Sequence, residues 1–592
     1  MSPSEEYIQR RDVRRLRVAN LEKIHIRLGN AKVGIFILFA ILAWASFSKH
    51  VLSAWWLILA ASAFVGLSAW HSKILRKREL AQRAVDFCER GLARIEDRWT
   101  GSGEAGERFA DPHHVYSGDL DLFGDGSLFQ LVSSARTRMG EDTLAGWLVA
   151  PSPMEVIRER HAAVRELREK TNLREAVAVL GADARVGVHP EALANWAELP
   201  AQVTWPPMRW LALGLAGLAI SAAIVWALLG MVTPLVIIVA IEAAITYRLR
   251  KPIEEVLHGS ENAFRDLDLL SGVLARVEEE SFRSPRLQGL RRQLLSSGLP
   301  SSKAIAKLRA LVDRINARHN TMVRILDAPL MYSVRVTLAA ERWRRDHGPG
   351  LRLWVSAIGE IEALLSIAAY SFEHPADPFP ELVEGETKFE SEGLGHPLVP
   401  AAMCVRNDVA ICGDTRMLLV SGSNMSGKST LMRAVGINVV LAMAGAPVRA
   451  RLLRLSPLSV GASIRVNDSL QEGSSRFYAE ITRLRQIFDL AGGSPPLLFL
   501  LDELLQGTNS KDRRIGAEGI VRALVGRGSI GIVSTHDLAL TDIDGSVGGS
   551  LRNVHFQDEI ADGKMIFDYK LRDGVVTKSN GLELMRSIGL DV

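Results

Sequence analysis

The chain has 592 residues, 47% apolar and 23% charged, with 71 Lys and Arg against 67 Asp and Glu. At roughly 150 residues per domain this is length for about four domains, which excludes a disulfide-stapled miniature and a wholly disordered chain. A net charge of +4 points by itself to no polyanionic partner. Cys88, Cys404 and Cys412, without CxxC or paired-histidine spacing, speak against a disulfide framework or structural zinc and suit a reducing compartment.

The first 32 residues are polar and strongly basic (Arg10, Arg11, Arg14, Arg15, Arg17, Lys23, Arg27, Lys32), unlike a cleavable signal. Val33 to Ser48 and Val51 to Trp70 are then free of charge, with only Lys49 and His50 between the two runs. Spanning a bilayer takes about 20 apolar residues and at least about 17, so residues 33–70 are predicted as a transmembrane hairpin. Lys73, Arg76, Lys77 and Arg78 follow at once, and cations on both outer flanks predict both ends in the cytoplasm. Residues 71–205 read as polar and mainly helical, with a loop at Gly101–Gly106 and a break at Pro151 and Pro153 before a helix near Met154.

A second apolar stretch, from Trp210 to Ile241 with Pro234 near its turn, predicts another hairpin over 208–248. Its helices are expected near 209–231 and 234–248, closed by Arg248, Arg250 and Lys251. Trp55, Trp56, Trp70 and Trp210 stand where interfacial aromatics stand. Glu242 falls inside the last segment, where a carboxylate is costly. It reads either as a pairing or functional site or as a residue near the cytoplasmic interface. Residues 252–372 resume amphipathic helix, with Ile305, Leu308, Leu311, Val312 and Ile315 on one packing face. Pro375, Pro378 and Pro380 mark a linker. From about 385 to 592 short β-rich runs alternate with helices, the texture of an α/β domain.

That last domain carries the chemistry. The short apolar run Met417–Val420 is followed by Gly422, Ser423, Asn424, Met425, Ser426, Gly427, Lys428, Ser429 and Thr430, and then by a helical pattern. Two glycines bracketing four residues before Lys-Ser satisfy the P-loop pattern, in which backbone N–H groups and a helix N-terminus cradle phosphates. Lys428 is expected to reach the β- and γ-phosphates and Ser429 to ligate Mg²⁺. Leu497–Leu501 reads as a strand buried on both faces. Asp502 after it suits Mg²⁺, and Glu503 suits the attacking water. A third strand, Gly531–Val533, leads to Ser534-Thr535-His536, which places His536 to sense the γ-phosphate. Together these elements fit an ATPase of the ABC class.

The segment Gly422–Thr430, with Asn424-Met425 at its middle, resembles the phosphate loop of the MutS family. Asp502-Glu503 with Gln506-Gly507-Thr508-Asn509-Ser510 resembles that family's Walker B stretch. The run from Asp468 to Glu480 is similar to the loop that reaches a partner's nucleotide, with Ser475, Phe477 and Glu480 at matching positions. Asn553-Val554-His555 and Lys578–Leu582 are similar to later segments. Upstream and more weakly, Asp119–Phe123, Ser127–Phe129, Thr137–Gly140, Leu144–Leu148 and Arg160 resemble the start of the MutS core. The resemblance implies ATP and Mg²⁺ as ligands, a homodimer through the ATPase domains with Ser475 completing the partner's site, lever helices within 252–372, and a DNA transaction related to mismatch repair.

Several departures accompany it. The mismatch-reading domain has no counterpart, the second hairpin stands where a DNA clamp would leave the levers, and the chain stops at Val592 without the family's helical extension. Aligning Asn407 with the family's Asn before the P-loop puts Cys404 where an aromatic stacks on adenine. The expected architecture is thus multi-domain: two transmembrane helical hairpins, an all-α MutS-like core and lever region, and a carboxyl-terminal α/β P-loop NTPase domain. It would sit in a bacterial-type inner or plasma membrane with four spans, both termini and the ATPase cytoplasmic, and no small-molecule substrate beyond ATP. An ABC-type transporter or an ATP-gated membrane tether that does not act on DNA is the alternative.

Overall fold

The computed structural model describes residues 1–48, 53, 55–181, 190–200, 207–261, 267–295, 299–317, 323, 327, 329–465, 476–536, 549–561 and 564–576. The helix Pro3–Phe47 opens on a capping box, in which Ser2 Oγ accepts from Glu5 N at 3.2 Å and Glu5 accepts from Ser2 N at 2.8 Å. It runs unbroken from the basic segment into the apolar one, so the expected boundary at 32/33 is a change of surface within one helix. The helix Trp55–Ile95 lies antiparallel to it. Leu21, Leu28, Ile74 and Ala81 fill the seam, Glu22 meets Arg78 at 2.5 Å, and His25 Nδ1 lies 2.7 Å from His71 Nε2.

Beyond that seam the apolar residues face outward: Phe36, Ile41, Trp44, Trp55 and Trp70 are exposed. An apolar surface so continuous is costly in water and marks contact with a non-aqueous or protein surface. Among the described residues, four helices are long and apolar enough to cross a membrane. One of them, Tyr332–Glu373, has 78% of its apolar window buried, against 6%, 17% and 22% for Pro3–Phe47, Trp55–Ile95 and Met208–Leu229, so it is a core helix. The second expected hairpin consists of Met208–Leu229 and Thr233–Arg248, with Pro234 in the first turn of the latter, where its missing N–H costs nothing. At 16 residues Thr233–Arg248 falls just short of the usual spanning length. Glu242 is 0% exposed, and neither carboxylate oxygen has a partner among the described residues, so it is enclosed within the hairpin's packing.

Tyr332–Glu373 is the spine of the helical middle. It packs on Arg138–Val149, Met154–Arg168, Pro190–Glu198, Pro285–Leu294 and Ser301–Ala317. All five residues of the expected stripe on Ser301–Ala317 are buried. At the spine's carboxyl end Glu373 is buried and takes two hydrogen bonds from Arg94, both 2.6 Å, and one from Tyr7 Oη at 3.0 Å. The first hairpin is thereby tied to the point where the chain enters the α/β domain.

Among the described residues that domain holds two sheets. The smaller contains β1 (Glu381–Leu382), β2 (Phe389–Leu394), β3 (Asn407–Ile411) and β5 (Leu452–Leu455), ordered β1-β5-β2-β3. The larger contains β4 (Met417–Ser421), β6 (Ser459–Ser463), β7 (Leu497–Leu501), β8 (Ile530–Thr535), β9 (Leu551–Ala561) and β10 (Lys564–Asp573), ordered β10-β9-β4-β8-β7-β6. All its pairings are parallel except β9–β10. The helical region docks on the helix Lys428–Ala444 of this domain through Leu120, against which a Cβ on Gly436 would stand at 2.7 Å.

Replacing Glu373 by Ala leaves Arg94 buried without its partner. This is expected to destabilise the chain by about 3–5 kcal/mol, whereas Tyr7→Phe removes the hydrogen bond to Glu373 and the one accepted from Arg174 Nη1 at 3.3 Å and costs about 1–3 kcal/mol. Denaturant unfolding of the two variants against wild type reads the difference.

Candidate nucleotide site

In the larger sheet β4 lies beside β8 and β8 beside β7, with Ser421 opposite Thr535 and Leu501 opposite Val533. All three strands are buried on both faces. Their carboxyl ends therefore open at one edge, where parallel sheets place ligands. The loop after β4 turns through Gly422 (φ 152°), Met425 (φ 67°) and Gly427 (φ 106°). A Cβ on Gly422 would stand 2.8 Å from Ser426 Oγ, so only glycine lets the loop close this tightly. The helix Lys428–Ala444 follows with Gly427 as its N-cap.

Lys428 folds back over this loop. Its Nζ donates to the carbonyls of Gly422 and Ser423, both at 2.9 Å, and lies 3.9 Å from Glu503 Oε1. Burial pulls the ammonium below the ordinary lysine range, against the opposing pull of Glu503 and Asp502. Among the described residues Ser423 Oγ and Ser426 Oγ are enclosed without a hydrogen-bond partner, whereas Asn424, Met425 and Thr430 are exposed. Ser429 Oγ donates to Asp502 Oδ2 at 2.5 Å, Ser534 donates to Asp502 Oδ1, and Asp502 N is held by Ser463 O at 2.9 Å.

Glu503 stands at φ 48° and Leu505 at φ 57°, a turn whose strain costs about 1–3 kcal/mol per residue. Ser534 Oγ accepts from Glu503 N at 3.2 Å, and Glu480 Oε1 accepts from Leu505 N at 2.5 Å. The Glu503 carboxylate takes a hydrogen bond from Gln506 Nε2 and lies 3.4 Å from Nδ1 of the half-exposed His536. The residues expected from three separate motifs thus converge. Ser475 and Lys578–Leu582 lie outside the described residues.

A cavity of about 410 Å³ adjoins this edge, lined by Lys428, Ser429 and Glu503 and also by His396, Cys404 and Tyr569. Reading the motifs missed Ser534, Gln506, His396 and Tyr569. Ser534 and Gln506 lie inside quoted motifs and were legible as neighbours of the carboxylates. Tyr569 is in no motif. It sits at φ 53° on an irregularity of β10 between Phe567 and Leu571. Asn407 Nδ2 donates to Tyr569 O at 3.0 Å, and Asn407 Oδ1 accepts from Leu571 N at 2.8 Å. The aromatic face that Cys404 does not supply is therefore present in the same cavity from another strand.

The donor set suits a magnesium-bound triphosphate. A hydroxyl and a carboxylate oxygen meet at Ser429 and Asp502, the hard oxygen ligands Mg²⁺ takes. The enclosed, unpartnered serine hydroxyls of the loop and the Lys428 ammonium match an anion.

Comparison with known proteins finds similarity over the same domain. The MutS domain V family matches residues 418–591. Over 244 residues the chain is 32% identical to the DNA mismatch repair protein MSH3 of Phaeosphaeria nodorum, covering 40% of this chain and 21% of that protein. Over 260 residues it is 32% identical to the DNA mismatch repair protein MutS 2 of Halobacterium salinarum, covering 43% of this chain and 28% of that protein. The chain thus spans between a fifth and a third of the length of these two relatives.

Two buried histidines make this region acid-sensitive. Burial pushes His396, in the cavity wall, and His161, against Phe379, from about 6.5 down to about 4. The unfolded chain takes up these protons first, so the contribution is whole above about pH 6.5 and is lost as pH falls toward 4. At pH 5 each imidazole is expected to cost about 2 kcal/mol. Unfolding midpoints at pH 7.5 and 5 measure the loss, and His161→Gln should flatten the slope.

Proposed function

From a chain that belongs to the MutS family through its carboxyl-terminal domain, we propose a membrane-anchored P-loop ATPase of the MutS and ABC class that hydrolyses ATP with Mg²⁺. The observation that carries this reading is the meeting of Ser429 with Asp502, and of Lys428 with Glu503, at the ends of adjacent parallel strands. Bound Mg²⁺ would neutralise phosphate charge between Ser429 and Asp502. Lys428 leaves its loop carbonyls for the β- and γ-phosphates, and the loop 422–427 supplies N–H donors to them. Glu503, oriented by Gln506 and by its strained turn, accepts the proton of the attacking water. His536, 3.4 Å from that carboxylate, links it to the γ-phosphate position. Tyr569 provides the face for the base.

Self-association completes the reading. Met425, Tyr478, Ile481 and Ile515 expose apolar side chains on the loop and helices of this domain, supporting a homodimer in which Ser475 reaches the partner's nucleotide. ATP-dependent closure would move the spine helix through its packing, a rigid-body switch. The relatives matched are DNA mismatch repair proteins, so a DNA transaction follows by family. Mismatch reading itself does not follow, because a shared motor does not bring a recognition domain with it. The exposed apolar helices favour one further reading, an ATP-gated tether that grips a membrane partner without DNA.

Glu503→Gln is expected to lower turnover by about 10²–10⁴-fold with ATP still retained, and Lys428→Ala to weaken retention itself. Filter binding and phosphate release on the full chain separate the two, and undiminished hydrolysis by the Glu503 variant would defeat the assignment. A gel shift at low ionic strength, where phosphate contacts are strongest, tests the DNA arm. Resistance to alkaline carbonate extraction tests the anchor.

A further inference from the structure

Residues 283–352 hold fifteen Lys and Arg against four Asp and Glu, an excess of eleven in a chain whose total is +4. Part of that excess gathers at the base of the second apolar hairpin. Met208 and Ala212 of its first helix, Ile253 just beyond its second, Ile315 at the end of Ser301–Ala317, and Met331 and Val334 at the start of the spine form one buried cluster. Two helices of the polar middle are thereby held at the level where the hairpin's apolar surface ends.

Around this cluster Arg209, Arg248, Arg250 and Lys251 project from the hairpin's flanks, and Arg314 and Arg335 from the two packed helices; all six are exposed. The nearby carboxylates are Glu254 and Glu255, with Arg250 3.9 Å from Glu254, Asp313, 3.8 Å from Arg309, and Asp327, which accepts from Ser333 N at 2.7 Å and Ser333 Oγ at 2.8 Å. Among the described residues no carboxylate pairs with Arg248, Lys251, Arg314 or Arg335. At the same level Trp210 and Tyr247 are 71% and 74% exposed, with the Arg209 guanidinium 5.4 Å from the Trp210 ring and that of Arg250 5.5 Å from the Tyr247 ring. Exposed amphipathic aromatics beside arginines at the end of an apolar helix are the chemistry of a bilayer interface.

We propose that this collar binds the headgroups of anionic phospholipids, and that Arg314 and Arg335 are its contribution from outside the hairpin. The proposal rests on the membrane-anchored reading above. A lipid phosphate fits better than a nucleic acid, because the cations ring the end of an apolar surface and stand beside interfacial aromatics. Guanidinium groups without a partner offer bidentate sites to phosphate. Since Arg335 lies on the spine that leads to the ATPase domain, headgroup binding holds that spine against the bilayer surface.

The test uses the full chain purified in mixed phosphatidylcholine and phosphatidylglycerol, with retained lipid counted by native mass spectrometry. Wild type is expected to retain phosphatidylglycerol preferentially. The double variant Arg314→Gln, Arg335→Gln should lower that preference about thirty-fold, about five-fold for each cation near an anionic surface. Arg314→Lys with Arg335→Lys, which keeps the charge, should preserve most of it, and ATP turnover in detergent should be unchanged in both. Equal preference in wild type and the Gln variant overturns the proposal, as does displacement of the phosphatidylglycerol by a duplex oligonucleotide. A chain that carbonate extraction releases into the supernatant defeats the anchoring itself. One that stays with the membrane but shows no lipid preference defeats the collar alone.

Discussion

The site depends on the parallel registration of three buried strands. β4, β8 and β7 are buried along their whole length and pair side by side, so their carboxyl ends stop at one edge. Segments beginning at Gly422, Asp502 and Ser534 are brought within hydrogen-bond distance only because burial on both faces permits no slip of register. A one-residue shift of β7 would turn Asp502 away from Ser429. The positive φ at Glu503 and Leu505 is tolerated on top of that frame, because Ser534 and Glu480 hold the turn from two sides.

The same edge is gripped by the helical half of the chain. Asp119 Oδ1 accepts from Ile464 N and Arg465 N, both at 2.7 Å, directly after β6, and Asp121 meets Arg465 at 2.6 Å. Arg483 donates to Pro112 O at 2.9 Å, so both β6 and the helix Arg476–Leu490 touch the 112–121 segment. Burial raises the Asp119 carboxyl above its usual range, and the two N–H donors work against that shift. At the far end of the same half, Glu373 joins Arg94 and Tyr7.

Those long helices show why apolar composition alone does not decide where a helix lies. Tyr332–Glu373 is slightly more apolar than Trp55–Ile95, yet the first is enclosed by other helices and the apolar part of the second faces outward. Tertiary partners separate them, because an apolar stripe is satisfied equally by a core or by lipid.

Much of the architecture was legible in one dimension. Charge-free runs marked the outward-facing helices, the five-residue stripe of Ser301–Ala317 marked its packing face, and the uninterrupted Leu497–Leu501 marked a central strand. The spacing from Gly422 to Thr430 and the Asp502-Glu503 pair marked the candidate nucleotide site, because phosphate-binding loops and metal ligands demand particular residue types at short, local intervals. What only the tertiary structure decided involves residues far apart in the chain. It set Tyr569 beside Cys404 through the clamp of Asn407, enclosed Glu242, seated Asp119 on β6, and brought Arg314 and Arg335 to the hairpin's base. None of these follows from a period or a motif, because each arises from packing between elements whose separation no local pattern records.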